Sequence, residues 1–182
     1  MLHTPAVPSD ADVTSREAAR AAALLAALAQ ALPRLASPAL IVDLAAVDRN
    51  IAAVLRRCPA DRWRPHIKTI KSAALVRRLW SAGVTRCKCA TLDELQLLLD
   101  TAVADGRDDR LDVLLAYPLH EGAFRAVRRL CAAPPRARVQ LLADGPEHAA
   151  ALARWLDGPL LARLDVDLGM ARTGAPPAAW IA

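Results

Sequence analysis

Lysine is almost missing from this chain. Of its 24 basic residues only Lys68, Lys71 and Lys88 are lysine, and the rest are arginine. Wherever any cation suffices, the sequence uses arginine. The two amines differ chemically: an arginine side chain stays charged in a protein, whereas a lysine can lose its proton and form a Schiff base. Aromatic residues are also scarce, at 3% with a single Phe and a single Tyr. Little is therefore available for stacking on bases, and nucleic acid is not expected as a partner. The net charge of +5 sits in scattered pairs such as Arg56/Arg57, Arg77/Arg78 and Arg128/Arg129, which read as solvated helix faces. The four cysteines form no C-x-x-C spacing, which removes the usual zinc and redox signatures. Cys87 and Cys89 would share one face of a strand as small buried hydrophobes, so a reducing, cytoplasmic setting is expected. The apolar stretch Ala21–Leu32 is too short to span a bilayer. It follows Asp10, Asp12 and Glu17, the wrong charge for a secretory leader, so no membrane association is expected. Neither G-x-G-x-x-G nor a P-loop occurs.

What is present is aliphatic. Hydrophobic residues make up 54% of the 182 positions, enough for a sizeable core of Leu, Val and Ala in one domain. Residues 1–14 read as loose and polar, and Ser15 to Leu32 as a helix ended by Pro33. From Ser37 strands and helices alternate. Strands are expected at Leu40–Leu44, Pro65–Ile70, Thr85–Ala90, Val113–Tyr117, Arg138–Leu142 and Leu160–Leu168. Helices are expected at 47–55, Ala73–Ala82 with Gly83 as its stop, Leu92–Val103, Glu121–Cys131 and Pro146–Leu156. Such alternation implies a parallel sheet with right-handed crossovers, either an open doubly wound sheet or a (βα) barrel.

Two of the three lysines fall within one stretch, Trp63-Arg64-Pro65-His66-Ile67-Lys68-Thr69-Ile70-Lys71-Ser72. Pro65 opposes helix upstream, and Ser72 suits the N-cap of the apolar run that follows. Lys68 is therefore placed near the carboxyl end of a strand, the edge that carries chemistry in α/β folds. On a strand it would share a face with His66 and Ile70. Arg163, Asp165 and Asp167 would likewise share a face, as an internal layer of charge.

Several segments together resemble the alanine-racemase-like, fold-type III pyridoxal-phosphate enzymes. They are Ser37-Pro38-Ala39-Leu40-Ile41-Val42-Asp43-Leu44, Arg49-Asn50-Ile51, the Arg64–Ser72 stretch, Leu115-Ala116-Tyr117-Pro118 and Asp165-Val166-Asp167-Leu168-Gly169-Met170-Ala171-Arg172-Thr173-Gly174. The branch they most resemble is that of D-threonine aldolase and D-serine dehydratase. The resemblance implies a partial (β/α)8 barrel of about five strands over residues 37–182, preceded by a mostly helical extension over 1–36. It implies Lys68, rather than Lys71, as the catalytic Schiff-base lysine of pyridoxal 5'-phosphate. It also implies His66, Arg172 and Tyr117 as further cofactor-binding residues, Arg172 lying near the cofactor's phenolic oxygen. Ile70 departs from the pattern, where relatives often carry His. The later strands, the phosphate-binding loops and the divalent-metal ligands of that branch have no counterpart here, so no metal site is expected. The implied activity is a lyase reaction on a small D-amino acid, in a truncated chain expected to be weak or inactive alone. Amino-acid racemisation and non-catalytic pyridoxal-phosphate binding are the alternatives, and a homodimer is the implied assembly of full-length relatives.

Overall fold

Residues 10–132, 136–155 and 160–181 are described in a computed structural model. The chain divides into two units, 1–47 and 48–182.

In the first unit helix α1 spans Asp10–Ala31, and a 3-10 turn at Leu32–Arg34 takes in Pro33. The helix thus starts five residues before Ser15, inside the stretch expected to be loose; residues 1–9 lie outside the described residues. The expected strand at Leu40–Leu44 does not form. Residues 39–43 are irregular, Leu40 is 90% exposed, and Leu44 already opens helix α2 (Leu44–Leu55). Local chemistry explains the switch. The Asp43 carboxylate accepts the Ala46 backbone N–H at 3.0 Å and pairs with Arg20, so it acts as a helix N-cap and not as a strand residue. Its pKa is lowered, chiefly by that backbone hydrogen bond.

The second unit is built on strands β1 (Arg86–Cys89), β2 (Asp112–Leu115), β3 (Arg138–Ala143) and β4 (Leu160–Leu164), all parallel and in sequence order. Between them run helices α3 (Ala73–Ser81), α4 (Leu92–Ala104), α5 (Glu121–Cys131) and α6 (Pro146–Ala153). This is the α/β architecture that the alternation predicts, a partial barrel wall. The reading of Pro146–Leu156 overshoots, because α6 stops at Ala153; Leu156 lies outside the described residues.

The two faces of the sheet differ. Cys87, Cys89, Val113, Leu115, Val139, Leu141 and Ala143 point to the helices and are buried. They pack with Val76 and Trp80 of α3, Leu95, Leu98 and Leu99 of α4, Phe124 and Val127 of α5, and Leu152 of α6. Each Val, Leu and Phe among them contributes about 1.5–3 kcal/mol by leaving water. The opposite, open face carries Lys88, Leu114 and Leu142, all half-buried. Lower on that face a polar belt crosses the sheet. Arg64 donates to Asp112 Oδ1 at 2.9 Å and to the Cys87 and Asp112 carbonyls at 3.2 Å each, Asp112 accepts from Gln140, and Gln140 accepts from Arg163. Arg163 is thus held by an amide. Among the described residues no ion pair links it to Asp165 or Asp167, so the expected charge layer is replaced by this belt.

The predicted strand Pro65–Ile70 is reduced to a single parallel bridge, His66 to Lys88, with Lys88 N–H donating to the Pro65 carbonyl at 2.8 Å. Directly after it the chain curls into a 3-10 turn at Ile67–Thr69. Ile67 drives the curl: it is fully buried in the core, whereas Lys68 and Thr69 face solvent. Lys68 therefore lies on a turn and does not share a strand face with His66 and Ile70. Among the described residues the named strands number four, with this bridge in the position of a further one.

Candidate functional site

The site is built at the carboxyl ends of the strands. On one side stands the Lys68 turn. His66 is its N-cap, in extended conformation, and His66 Nδ1 accepts the Lys68 backbone N–H at 3.2 Å. An accepting Nδ1 must be unprotonated. The His66 pKa is indeed lowered, first by desolvation and then by the positive charges of Lys68 and Lys88. Lys68 itself makes no side-chain hydrogen bond or ion pair with the described residues.

Lys71 differs. Its Nζ lies 3.4 Å from Glu94 Oε1, whose side chain is only 3% exposed. Glu94 is fixed from several directions: its Oε2 accepts the Ala90 N–H at 2.9 Å, and its own N–H donates to the Thr91 hydroxyl at 3.2 Å, the N-cap of α4. Lys71 is a held lysine in the left-handed region at φ 29°, and Lys68 is an unheld one.

On the other side stands the turn after β4. Asp165 N–H continues the ladder by donating to Ala143 O at 2.8 Å, and Val166 bridges to Ala175. The loop between them is closed by Ala175 N–H to Asp165 O at 3.0 Å and Asp167 N–H to Ala175 O at 2.9 Å. Trp180 Nε1 adds a third hydrogen bond, 3.2 Å, to the same Asp165 carbonyl. Within the loop Asp167 Oδ1 accepts the N–H groups of Ala171 and Gly169 at 3.0 and 2.9 Å, which lower its pKa. Gly169 at φ +114° and Gly174 at φ +90° meet backbone demands that other residues resist, and Ala171 is held at φ 51°. Arg172 is presented by this braced loop.

Between β1 and the loop lies a cavity of about 690 Å³, walled by Lys88, Leu114, Ala116, Leu142, Asp165 and Arg172 among others. Asp165 Oδ2 is buried with no hydrogen-bond partner among the described residues. Of the sequence-predicted residues, Arg172 reaches this cavity and His66 is joined to its wall through the Lys88 bridge. Lys68 follows two residues on. Tyr117, 56% exposed just beyond β2, does not line it. Lys88 was missed by sequence reasoning, although its place between Cys87 and Cys89 in a strand dictates the opposite face. A smaller cavity of about 290 Å³, lined by His120, Glu121, Phe124, Asp144 and His148, contains none of the predicted residues. No group of three or more potential metal ligands occurs among the described residues, and no described helix is long and apolar enough to cross a membrane.

Comparison with known proteins gives two findings. The model of the family described as alanine racemase, N-terminal domain, matches residues 42–182. The D-threo-3-hydroxyaspartate dehydratase of Delftia sp. (strain HT23) is 34% identical over 71 residues, a match that covers 38% of this chain and 19% of that relative.

Proposed function

This chain belongs to the alanine racemase N-terminal domain family, and from that premise we propose that it serves a pyridoxal-phosphate-dependent lyase acting on a small D-3-hydroxy amino acid. The observation that carries the reading is the contrast between two neighbouring lysines. Lys71 is tied to a buried glutamate, whereas Lys68, on a turn clamped by His66, has no ion-pair partner among the described residues. The relative's name, a dehydratase of a 3-hydroxylated D-amino acid, supports the substrate class and the loss of water.

The residues present fit the cofactor chemically. Such a site needs an amine for the aldehyde carbon, and Lys68 offers one outside any ion pair. It also needs cations for anionic oxygens, and Lys88 and Arg172 stand on one cavity wall. Bound there, pyridoxal phosphate supplies an electron sink for charge developing at an amino acid's Cα. The chain's own contributions are positional. His66 keeps its Nδ1 lone pair on the Lys68 N–H and so fixes the turn, with its neutral form favoured by burial and by the two flanking lysines. Asp167 spends its carboxylate on the loop's own N–H groups and so braces Arg172.

The test is borohydride reduction of the chain mixed with pyridoxal phosphate, followed by peptide mapping. With only three lysines the map is unambiguous. The expected result is an adduct on Lys68 and none on Lys71. No adduct, or labelling spread evenly over Lys68, Lys71 and Lys88, overturns the reading.

A further inference from the structure

We infer that Lys88 is an anchor for an oxyanion, a ligand's carboxylate or phosphate, on the open face of the sheet. The inference rests on the reading of this face as the cofactor and substrate site, and it adds a binding residue to it.

Three observations carry it. First, register places Lys88 in one row with His66 and Leu114, so its side chain leaves the sheet on the open face, away from the buried Cys87 and Cys89. Second, it shares the wall of the cavity of about 690 Å³ with Leu114, its neighbour across the β1–β2 pair, and with Ala116 and Leu142. A lysine stem is compatible with aliphatic neighbours, but the ammonium at its end needs a partner. Third, that partner is not supplied by the described residues. Lys88 makes no side-chain hydrogen bond or ion pair with the described residues. Two carboxylates share the cavity wall. Asp167 is occupied by the Gly169 and Ala171 N–H groups, and Asp165 forms no ion pair with Lys88. An ammonium with no partner among the described residues, on a cavity wall shared with Arg172, is a receptor for an anionic group.

The rarity of lysine gives the test. The whole chain is acetylated under limiting reagent, and the rate at each of the three lysines is read by mass spectrometry, alone and with added D-aspartate or pyridoxine 5'-phosphate. The latter carries the phosphate but no aldehyde. Saturating probe is expected to slow acetylation of Lys88 severalfold and to leave Lys71 unchanged. Protection by D-aspartate assigns a carboxylate, and protection by pyridoxine phosphate assigns a phosphate. K88Q is expected to weaken binding of the protecting probe about tenfold in calorimetry, with K88R weakening it less. If neither probe slows Lys88, or if K88Q binds both as the wild type does, the anchor is wrong. The cofactor reading is scored separately on the Lys68 peptide. An adduct on Lys68 beside an unprotected Lys88 removes the anchor alone, and a protected Lys88 without an adduct removes the cofactor reading alone.

Discussion

His66 Nδ1 accepts the backbone N–H of Lys68 at 3.2 Å, so the residue that precedes the turn also fixes the turn that carries the unpaired amine. The link depends on charge state. A protonated imidazole has no lone pair at Nδ1 and cannot accept. The His66 pKa is lowered from its ordinary 6.5, mainly by desolvation, so the folded chain favours the neutral ring. The unfolded chain then binds the proton first as pH falls. The stabilisation is complete above pH 6.5 and declines as pH drops below that value toward the folded pKa. Amide exchange at Lys68 follows this directly. Protection of its N–H is expected to fall in acid, and H66A is expected to lose about 1 kcal/mol of local protection at neutral pH. A Lys68 amide whose protection is the same in H66A as in wild type would sink the idea.

Glu94 separates the two lysines, and its removal has a cost beyond the ion pair. In E94A the Ala90 N–H loses its acceptor and Lys71 loses its counter-ion. The Ala90 donor is half-buried, so leaving it unsatisfied costs about 1 kcal/mol, the low end of the range for buried donors. Denaturant unfolding is expected to show a loss of that size. Lys71, no longer held, is expected to compete with Lys68 for pyridoxal phosphate in the reduction experiment. If the wild-type labelling pattern persists in E94A, the ion pair is not what keeps Lys71 out.

The cysteines offer a check on the packing. Burial pushes the thiols of Cys87 and Cys89 up to about 11 and about 12, and that of Cys131 up to about 11. The thiolate is the reactive form, so these groups are inert near neutral pH in the folded chain. Cys58, half-buried, is expected to react first with a thiol reagent at pH 8, and Cys87 and Cys89 only after unfolding. Prompt labelling of Cys87 or Cys89 in the native protein would mean that the helix face of the sheet is open.

The alternation of the sequence was legible because the helix face of each strand is a continuous apolar surface, and Glu121–Cys131 falls on α5 to the residue. The two strands that do not form share one cause. At Leu40–Leu44 and Pro65–Ile70 the apolar residues look like strand, but a single local contact decides the backbone. Asp43 caps α2, and buried Ile67 with the His66 cap curls the Lys68 turn. Neither contact has a period, so hydropathy cannot reveal it. Of the residues expected by type, Arg172 lines the cavity beside the sheet and Lys68 stands on the turn that follows His66. Lys88 escaped because it carries no motif. Only its neighbours Cys87 and Cys89, buried on the other face, fix where it points.

Gly174 tests the loop that presents Arg172. Its φ is +90°, and a Cβ placed there would lie 2.8 Å from the Asp165 carbonyl oxygen and 3.1 Å from the Asp165 carboxyl carbon. The two nearest atoms, the Asp165 carbonyl oxygen and carbon, belong to backbone that is itself hydrogen-bonded and does not yield cheaply. G174A therefore combines a strained conformation with a clash, at about 1–3 kcal/mol, which for a chain of this size lowers Tm by roughly 5 °C. Gly122 provides the control. It lies in α5 with open space around it and no positive φ, so G122A is expected to leave Tm unchanged or to raise it slightly. The displaced Asp165 wall should also weaken any ligand held in the cavity it lines. A G174A protein that melts with the wild type and binds as well would show that the Asp165 carbonyl does not approach Gly174 in solution, and that Arg172 is presented by some other constraint.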